Sequence, residues 1–418
     1  MKVSRGRILM FLENDFPGDP RPKNECDVLT EAGYSITIVA LKKKGQARTE
    51  IVDGVQVYRI PRLELFTKLP LDNPTLAQRM LIRLKSVLGY IIEYIYFTCA
   101  CFVLSLYVAA TRGFDAIHAH NPPDTLFLVA LPYKLIGKKY VFDHHDLCPE
   151  LYQSRYRAAN DFVARILQWI EWANLKLADV TIATNESYKQ IHAQRGGRSP
   201  ESVVVVRNGP NPRRMEIDEP SQRLLQMNKT ILCYIGSLNP QDGVDYLLRS
   251  LHHLAYVLNR RDFYCVIMGN GDSLEGLRAL ARELKLNGFV ELTGYIPEKD
   301  LLANLSAADI CVDPDPSSPL NDVSTWIKIM EYMGYGKPIV SYDLKETRFS
   351  AQEAALYVQP NDEAKFAEAI ATLIDRPLLR KQMGEFGRRR VERDLQWAVV
   401  GKELLRAYET LMTKTTRS

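Results

Sequence analysis

Short apolar runs alternate with helix-period segments along most of the chain. In the first half, residues 8–12, 35–40, 55–59, 116–119, 139–142, 180–183 and 203–206 are apolar or β-branched over strand length, with helical patterns between several of them. Residues 24–32 form one such pattern, closed by Gly33 just before the second run. Strand, helix and strand in succession predict a parallel sheet wrapped by helices. After Arg207-Asn-Gly-Pro-Asn-Pro212 and a polar stretch to Lys229 the pattern restarts, with runs at 230–235, 264–268, 290–292, 310–312 and 338–341. The chain therefore reads as α/β with two parallel-sheet domains, a boundary between 208 and 229, and a long helical stretch over 388–415 that carries Trp397 and Tyr408.

Ligands of such sheets sit beyond the carboxyl ends of the strands, so the residues after each run matter most. Gly236-Ser-Leu-Asn-Pro-Gln-Asp-Gly243, Gly269-Asn-Gly-Asp272, Thr293-Gly294-Tyr295 and Asp313-Pro-Asp-Pro-Ser-Ser318 follow four runs of the second half. His120-Asn121 and Asp143-His144-His145-Asp146 stand at the same edge of the first, and these loops are expected to converge on one cleft. The segment Asn321-Asp-Val-Ser-Thr-Trp-Ile-Lys-Ile-Met-Glu-Tyr-Met-Gly-Tyr-Gly-Lys-Pro-Ile-Val340 adds a helix with a polar start at Asp322, Ser324 and Thr325, stopped by Gly334 or Gly336 and Pro338. Amides near Ser324 and Thr325 would attract a diphosphate. Lys328 and Glu331 share a face, fit to offset phosphate charge and to accept two ribose hydroxyls; a surface ion pair is the plainer reading.

Composition narrows the classes. The chain has 418 residues, 46% of them hydrophobic and 25% charged, and a net charge of only +4, so no dominant nucleic-acid footprint is present. The seven cysteines are scattered and mostly set in apolar runs, as for buried reduced thiols, and no metal-ligand spacing occurs. The first apolar run is too short for a secretion signal. Residues 87–110 are apolar enough for a membrane span, yet the strand runs before and after them belong to one sheet. A helix lying on the membrane surface, with Tyr90, Tyr94, Tyr96 and Tyr107 at the interface and Arg79, Arg83, Lys85 and Arg112 flanking, is one reading; a plain core helix is the other.

Phe114-Asp-Ala-Ile-His-Ala-His120, Val141-Phe-Asp-His-His-Asp-Leu147, Val205-Val-Arg-Asn-Gly209, Ile267-Met-Gly-Asn-Gly271, Gly294-Tyr-Ile-Pro297 and the segment from Glu331 to Val340 occur in an order and spacing that resemble the retaining glycosyltransferases of family four. The resemblance covers nearly the whole chain. It implies the GT-B architecture of two facing Rossmann-like domains, here 1–212 on the acceptor side and 213–387 for the nucleotide sugar, with 388–418 as a helix packing back on the first. It further implies transfer of a hexosyl or N-acetylhexosaminyl group from a UDP- or GDP-sugar to a hydroxyl acceptor, without a required metal. Residues placed at the donor are Arg207, Gly236, Ser237, Asn239, Asp242, Gly243, Gly269, Asn270, Gly271, Tyr295, Ile296, Asn321, Asp322, Ser324, Thr325, Lys328 and Glu331; His120, His145 and Lys328 are placed at the reacting sugar.

The sequence departs from the family pattern in three places. Val323 stands where the first of two glutamates is usual, the loop at 236–243 has neither the usual arginine nor lysine, and Phe16-Pro-Gly-Asp-Pro-Arg-Pro22 replaces a glycine-rich loop. Charge-assisted contacts to phosphate are worth about 1.5–3 kcal/mol each. Lys328 is the expected replacement cation, with Arg207 and Arg21 behind it. His118 is expected to point to the face opposite His120, His144 to be structural, and His192, His252 and His253 to be exposed. The acceptor reading is a lipid-linked saccharide of surface polysaccharide assembly, made by a cytoplasmic protein peripheral to the inner membrane face. A Rossmann oxidoreductase lacks its glycine fingerprint here. The non-enzyme alternative is a degenerate relative that binds a nucleotide or a partner without turnover.

Overall fold

The computed structural model describes residues 5–63, 65, 76–156, 161–210, 215 and 219–413. The expected 212/213 boundary, the end of the expected 388–415 helix and the side chains of Arg79 and Arg83 lie outside the described residues. Two units make up the chain, Met1–Val206 with Gly401–Ser418, and Arg207–Val400.

The first unit is built on eight strands, β1 (Arg7–Asp15), β2 (Ser35–Lys42), β3 (Thr49–Val52), β4 (Val55–Pro61), β5 (Ala116–His120), β6 (Lys139–His144), β7 (Val180–Ala183) and β8 (Val203–Val205). Their order is β3-β4-β2-β1-β5-β6-β7-β8, parallel except for the β3–β4 hairpin. All seven apolar runs of this half are strands. The unexpected one, β3, is an edge strand without an apolar run; its signal was Asp53-Gly54, which adopts positive φ at both residues in the two-residue turn to β4. Helices α1 (Pro20–Glu31), α2 (Leu76–Thr111), α3 (Phe127–Leu135), α4 (Cys148–Tyr156), α5 (Phe162–Leu177) and α6 (Glu186–Gly196) complete the unit. On one sheet face Phe97, Cys101 and Val108 of α2, Val129 and Ala130 of α3 and Leu175 of α5 join one core with Leu9, Phe11, Ile117 and Phe142.

The second unit holds β9 (Thr230–Ile235), β10 (Phe263–Met268), β11 (Val290–Gly294), β12 (Ile310–Asp313), β13 (Ile339–Tyr342) and β14 (Ala355–Val358), wholly parallel in the order β11-β10-β9-β12-β13-β14. Only β14 was not expected. The tail is broken: a helix at Pro377–Arg390 passes through a widened turn at Val391–Leu395, Gln396 is extended, and a second helix runs Trp397–Thr413. Its last part, from Gly401, belongs to the first unit.

Each sheet has one place where the chain reverses its direction of winding, between β1 and β5 in the first unit and between β9 and β12 in the second. Loops leaving adjacent strands there part in opposite directions and leave a crevice, which makes these two points the places to look for a site.

Candidate functional site

At the β1/β5 point of the first unit, α1 opens at Pro20 with Asp19 as its cap, and the cap accepts a bond from the Arg21 amide. Arg21 turns inward. Its guanidinium grips Asp143 at the end of β6 through Nε (2.7 Å) and Nη2 (2.6 Å), donates to the Val206 carbonyl at 3.0 Å, and lies 3.3 Å from Glu25. His120 places Nδ1 3.0 Å from Asp143 and Nε2 3.7 Å from Glu25, and its ring stacks on His118 at 4.4 Å. His118 in turn meets the Tyr408 hydroxyl at 2.8 Å. The side chains of Arg21, Glu25, His118, His120, Asp143 and Tyr408 are all buried.

Burial alone would raise Asp143, but Arg21 holds it well below the usual carboxylate range, whereas burial and the Asp143 charge push Glu25 well up. Burial, then His118, lowers His120 to about 3, so both stacked imidazoles are neutral. The expectation that His118 faces away from His120 is corrected: residues two apart on a strand share a face. Glu25, His118, His120 and Asp143 present ligand atoms within 4.8 Å of one another, a metal-ligand set no spacing revealed because it draws on α1, β5 and β6. Arg21 already supplies the positive charge there. Arg21 is therefore no phosphate cation.

His145 differs from His120 in being partly exposed. Its ring lies 5.9 Å from that of His120, its Nε2 has no hydrogen-bond partner among the described residues, and Asn121 Oδ1 fixes its backbone by accepting from the amides of His145 (2.8 Å) and Asp146 (3.1 Å). Glu150 pairs with Arg195. His144 is structural as expected, buried against His192 at 2.9 Å; His192, expected at the surface, is fully buried and also meets Thr181. The helix pattern did not reveal that His192 faces the sheet.

In the second unit the loops after β9, β10 and β12 press together. A Cβ on Gly269 would lie 1.7 Å from the Gly236 carbonyl oxygen, one on Gly243 2.1 Å from that of Pro314, and one on Gly271 2.4 Å from that of Leu238. Only glycine permits this approach. Leu238 donates to Asn270 O (3.1 Å), Ser273 to Leu238 O (2.8 Å), and Asp272 to Asn239 Oδ1 (3.1 Å). Asn239 and Asp242 cap each other's backbone, and buried Asn321 ties Gln241 O to Pro316 O, both at 2.8 Å. Asn239, Asp242, Gly243 and Asn321 thus help to build the loop cluster, with Asn239 partly exposed and the other three buried. Ser237, Asn270 and Tyr295 are exposed, with Gly236, Gly269, Gly271, Ile296, Asp322, Thr325 and Glu331 partly so.

The helix beside these loops starts later than expected, running Ile327–Gly334 with Trp326 as its cap. Asn321–Val323 makes a separate tight turn, the Ser324 amide donates to Asn321 O, and the Ser324 hydroxyl to Leu320 O at 2.7 Å. Ser324 and Thr325 therefore do not cap the helix; its opening amides are those of Ile327 and Lys328. Lys328 also departs from expectation. Its ammonium is buried between Asp313 (3.0 Å) and Asp315 (2.7 Å), over the Tyr234 ring. Burial would lower it, yet Asp315 and its neighbours hold it well above the usual lysine range, while burial and Asp313 raise Asp315. Arg207 is likewise engaged, paired with Glu346 at 3.2 Å and stacked on Phe349. Both cations are buried and already paired with carboxylates.

Comparison with known proteins covers both units. Residues 23–214 match the family described as Glycosyltransferase Family 4, and residues 229–376 that of Glycosyl transferases group 1. A GDP-mannose-dependent monoacylated alpha-(1-6)-phosphatidylinositol monomannoside mannosyltransferase of Corynebacterium glutamicum is 30% identical over 172 residues, 40% of this chain and 44% of that one. Among solved structures, sucrose-phosphate synthase from Thermosynechococcus elongatus aligns with TM-score 0.71 at 18% identity over 98% of this chain and 99% of its own. Anabaena HepE in complex with UDP-glucose aligns with TM-score 0.68 at 15% identity, over 97% and 100%.

Proposed function

Because the chain is a glycosyltransferase of the family-four type with the GT-B fold, we propose that it moves a hexosyl or N-acetylhexosaminyl group from a UDP- or GDP-sugar to a hydroxyl, with retention. The observation that carries the reading is the loop cluster at the β9/β12 reversal, whose glycines bring three strand ends within backbone contact beside the partly exposed Glu331. Beside this cluster the Ile327–Gly334 helix presents its positive end, which favours phosphate. Glu331 accepts from the ribose hydroxyls. In the transfer, the acceptor oxygen bonds to the anomeric carbon on the face from which the diphosphate departs, the carbon–phosphate-oxygen bond breaks, and the acceptor proton passes to that oxygen. The protein's part is placement and charge stabilisation.

The acceptor proposed is a lipid-linked saccharide of surface polysaccharide assembly, met at the inner face of the membrane. An inositol-lipid acceptor in the name of the Corynebacterium relative and the apolar α2 support it. A second reading, nucleotide or partner binding without turnover, is favoured by one observation: the two cations expected at the donor, Lys328 and Arg207, are each already paired with carboxylates.

Calorimetric titration with UDP and GDP, alone and as sugar conjugates, tests the donor site. Glu331→Gln should weaken the preferred nucleotide about tenfold, for one charge-assisted bond reduced to a neutral one, with an unchanged melting temperature. Equal affinity in variant and wild type would remove Glu331 from the site. Tight binding with no sugar transfer or donor hydrolysis would favour the second reading.

A further inference from the structure

The helices on one face of the first sheet are apolar on both sides. Along α2, Phe97, Cys101, Ser105 and Val108 face inward and are buried, while Leu88, Ile91, Ile95, Phe102 and Leu106 recur at helical spacing on the outside and are exposed. Neighbouring α3 repeats this with Leu128, Leu131 and Leu135, the last 82% exposed, and α5 with Phe162, Ile166 and Trp169, the last 59% exposed. The three helices are laterally joined: Ser105 bonds Tyr133 at 2.9 Å, Thr98 bonds Thr125 in the tight turn leading into α3 at 2.6 Å, and Trp169 meets Phe127 edge-on at 6.3 Å. Three outward stripes therefore form one contiguous apolar layer, far beyond the scattered apolar residues of an ordinary surface.

We propose that this α2/α3/α5 layer is a membrane-docking face that lies in the plane of an anionic bilayer. Residues Val87–Thr111 are long and apolar enough to cross a membrane. Crossing would strip Phe97, Cys101 and Val108 from the sheet core and break the bonds to α3 and to the turn before it, whereas lying flat keeps them. Charge selects the lipid. The three helices carry six lysines and arginines against two acids, and neither acid faces outward freely: Glu171 is buried against Arg195, and Glu93 accepts from the Leu65 amide. Lys85, Arg112, Arg165 and Lys176 are exposed, placed to reach anionic headgroups. Of the four tyrosines expected at the interface only Tyr107 is exposed; Trp169 and Trp172 of α5 supply the amphipathic rings instead. The inference does not depend on the transfer reaction.

Flotation of the purified full chain with phosphatidylcholine vesicles, with and without phosphatidylglycerol, tests it. The wild type should float with the anionic vesicles and much less with the neutral ones, and alkaline carbonate should release it. Phe162→Glu with Leu135→Glu, on exposed positions outside α2, should reduce flotation about tenfold without changing the melting temperature. No flotation of the wild type overturns the proposal. Flotation unaffected by the double variant overturns the three-helix face, resistance to carbonate points to a span, and a wild-type dimer that the double variant dissociates makes a second copy the occupant.

Discussion

Lys328→Met is expected to destabilise the second domain by about 3–5 kcal/mol, the cost of leaving buried carboxylates without their cation. The ammonium sits between Asp313 and Asp315, both fully buried, and Asp313 accepts one further bond from Ser341 at 2.9 Å. Burial already disfavours ionised Asp315, so methionine at 328 leaves two acids competing to stay charged without water. Adding Asp315→Asn removes one of them and should restore part of the loss. Denaturant unfolding of the purified chain, followed by a probe in the second domain, reads both effects. The alternative, in which Lys328 serves the diphosphate, gives a different signature: a normally stable Lys328→Met with weak nucleotide binding. A loss below about 1 kcal/mol would return the lysine to that role.

Lys328 also marks the limit of what the sequence discloses. Its spacing from Glu331 correctly implied a shared helix, but spacing fixes a face and not a partner. Asp313 and Asp315 come from the end of β12, brought beneath the helix only by the winding of the sheet. The strands themselves were readable because a buried parallel strand must be apolar along its whole length, and 203–206 or 310–312 could be little else. β3 escaped that rule because an edge strand needs no apolar run. Ser324 and Thr325 carry capping chemistry, yet the turn at Asn321–Val323 draws the Ser324 hydroxyl back to Leu320, so the helix waits until Ile327. The glycines at 236, 243, 269 and 271 were visible as strand-end residues. That Gly269 packs on the backbone of Gly236, Gly243 on that of Pro314 and Gly271 on that of Leu238 was not, since each alone is explained by a turn.

The buried cluster of the first domain makes the second large prediction, on pH. His120 is held near 3 in the folded chain against an ordinary 6.5, so between those values the unfolded chain binds more protons and stability falls as pH falls. By that relation His120 alone removes about 2 kcal/mol between pH 7 and pH 5. His120→Asn cannot take the proton. The difference in unfolding free energy between wild type and variant should therefore move by about 2 kcal/mol toward the variant over the same interval, whatever its value at neutral pH. Differencing matters because His118, His144 and His192 titrate in the same sense and Glu25 in the opposite one. The charged and titratable groups facing His120 are Asp143, Glu25, His118, His145 and, through Asp143, Arg21. Of these, Glu25 is the acid whose raised pKa could mask the effect, so the pair is repeated in a Glu25→Gln background. Parallel pH curves in both backgrounds would mean that His120 gains a proton without cost, and the cluster would then be open to solvent or a ligand instead of sealed by Arg21.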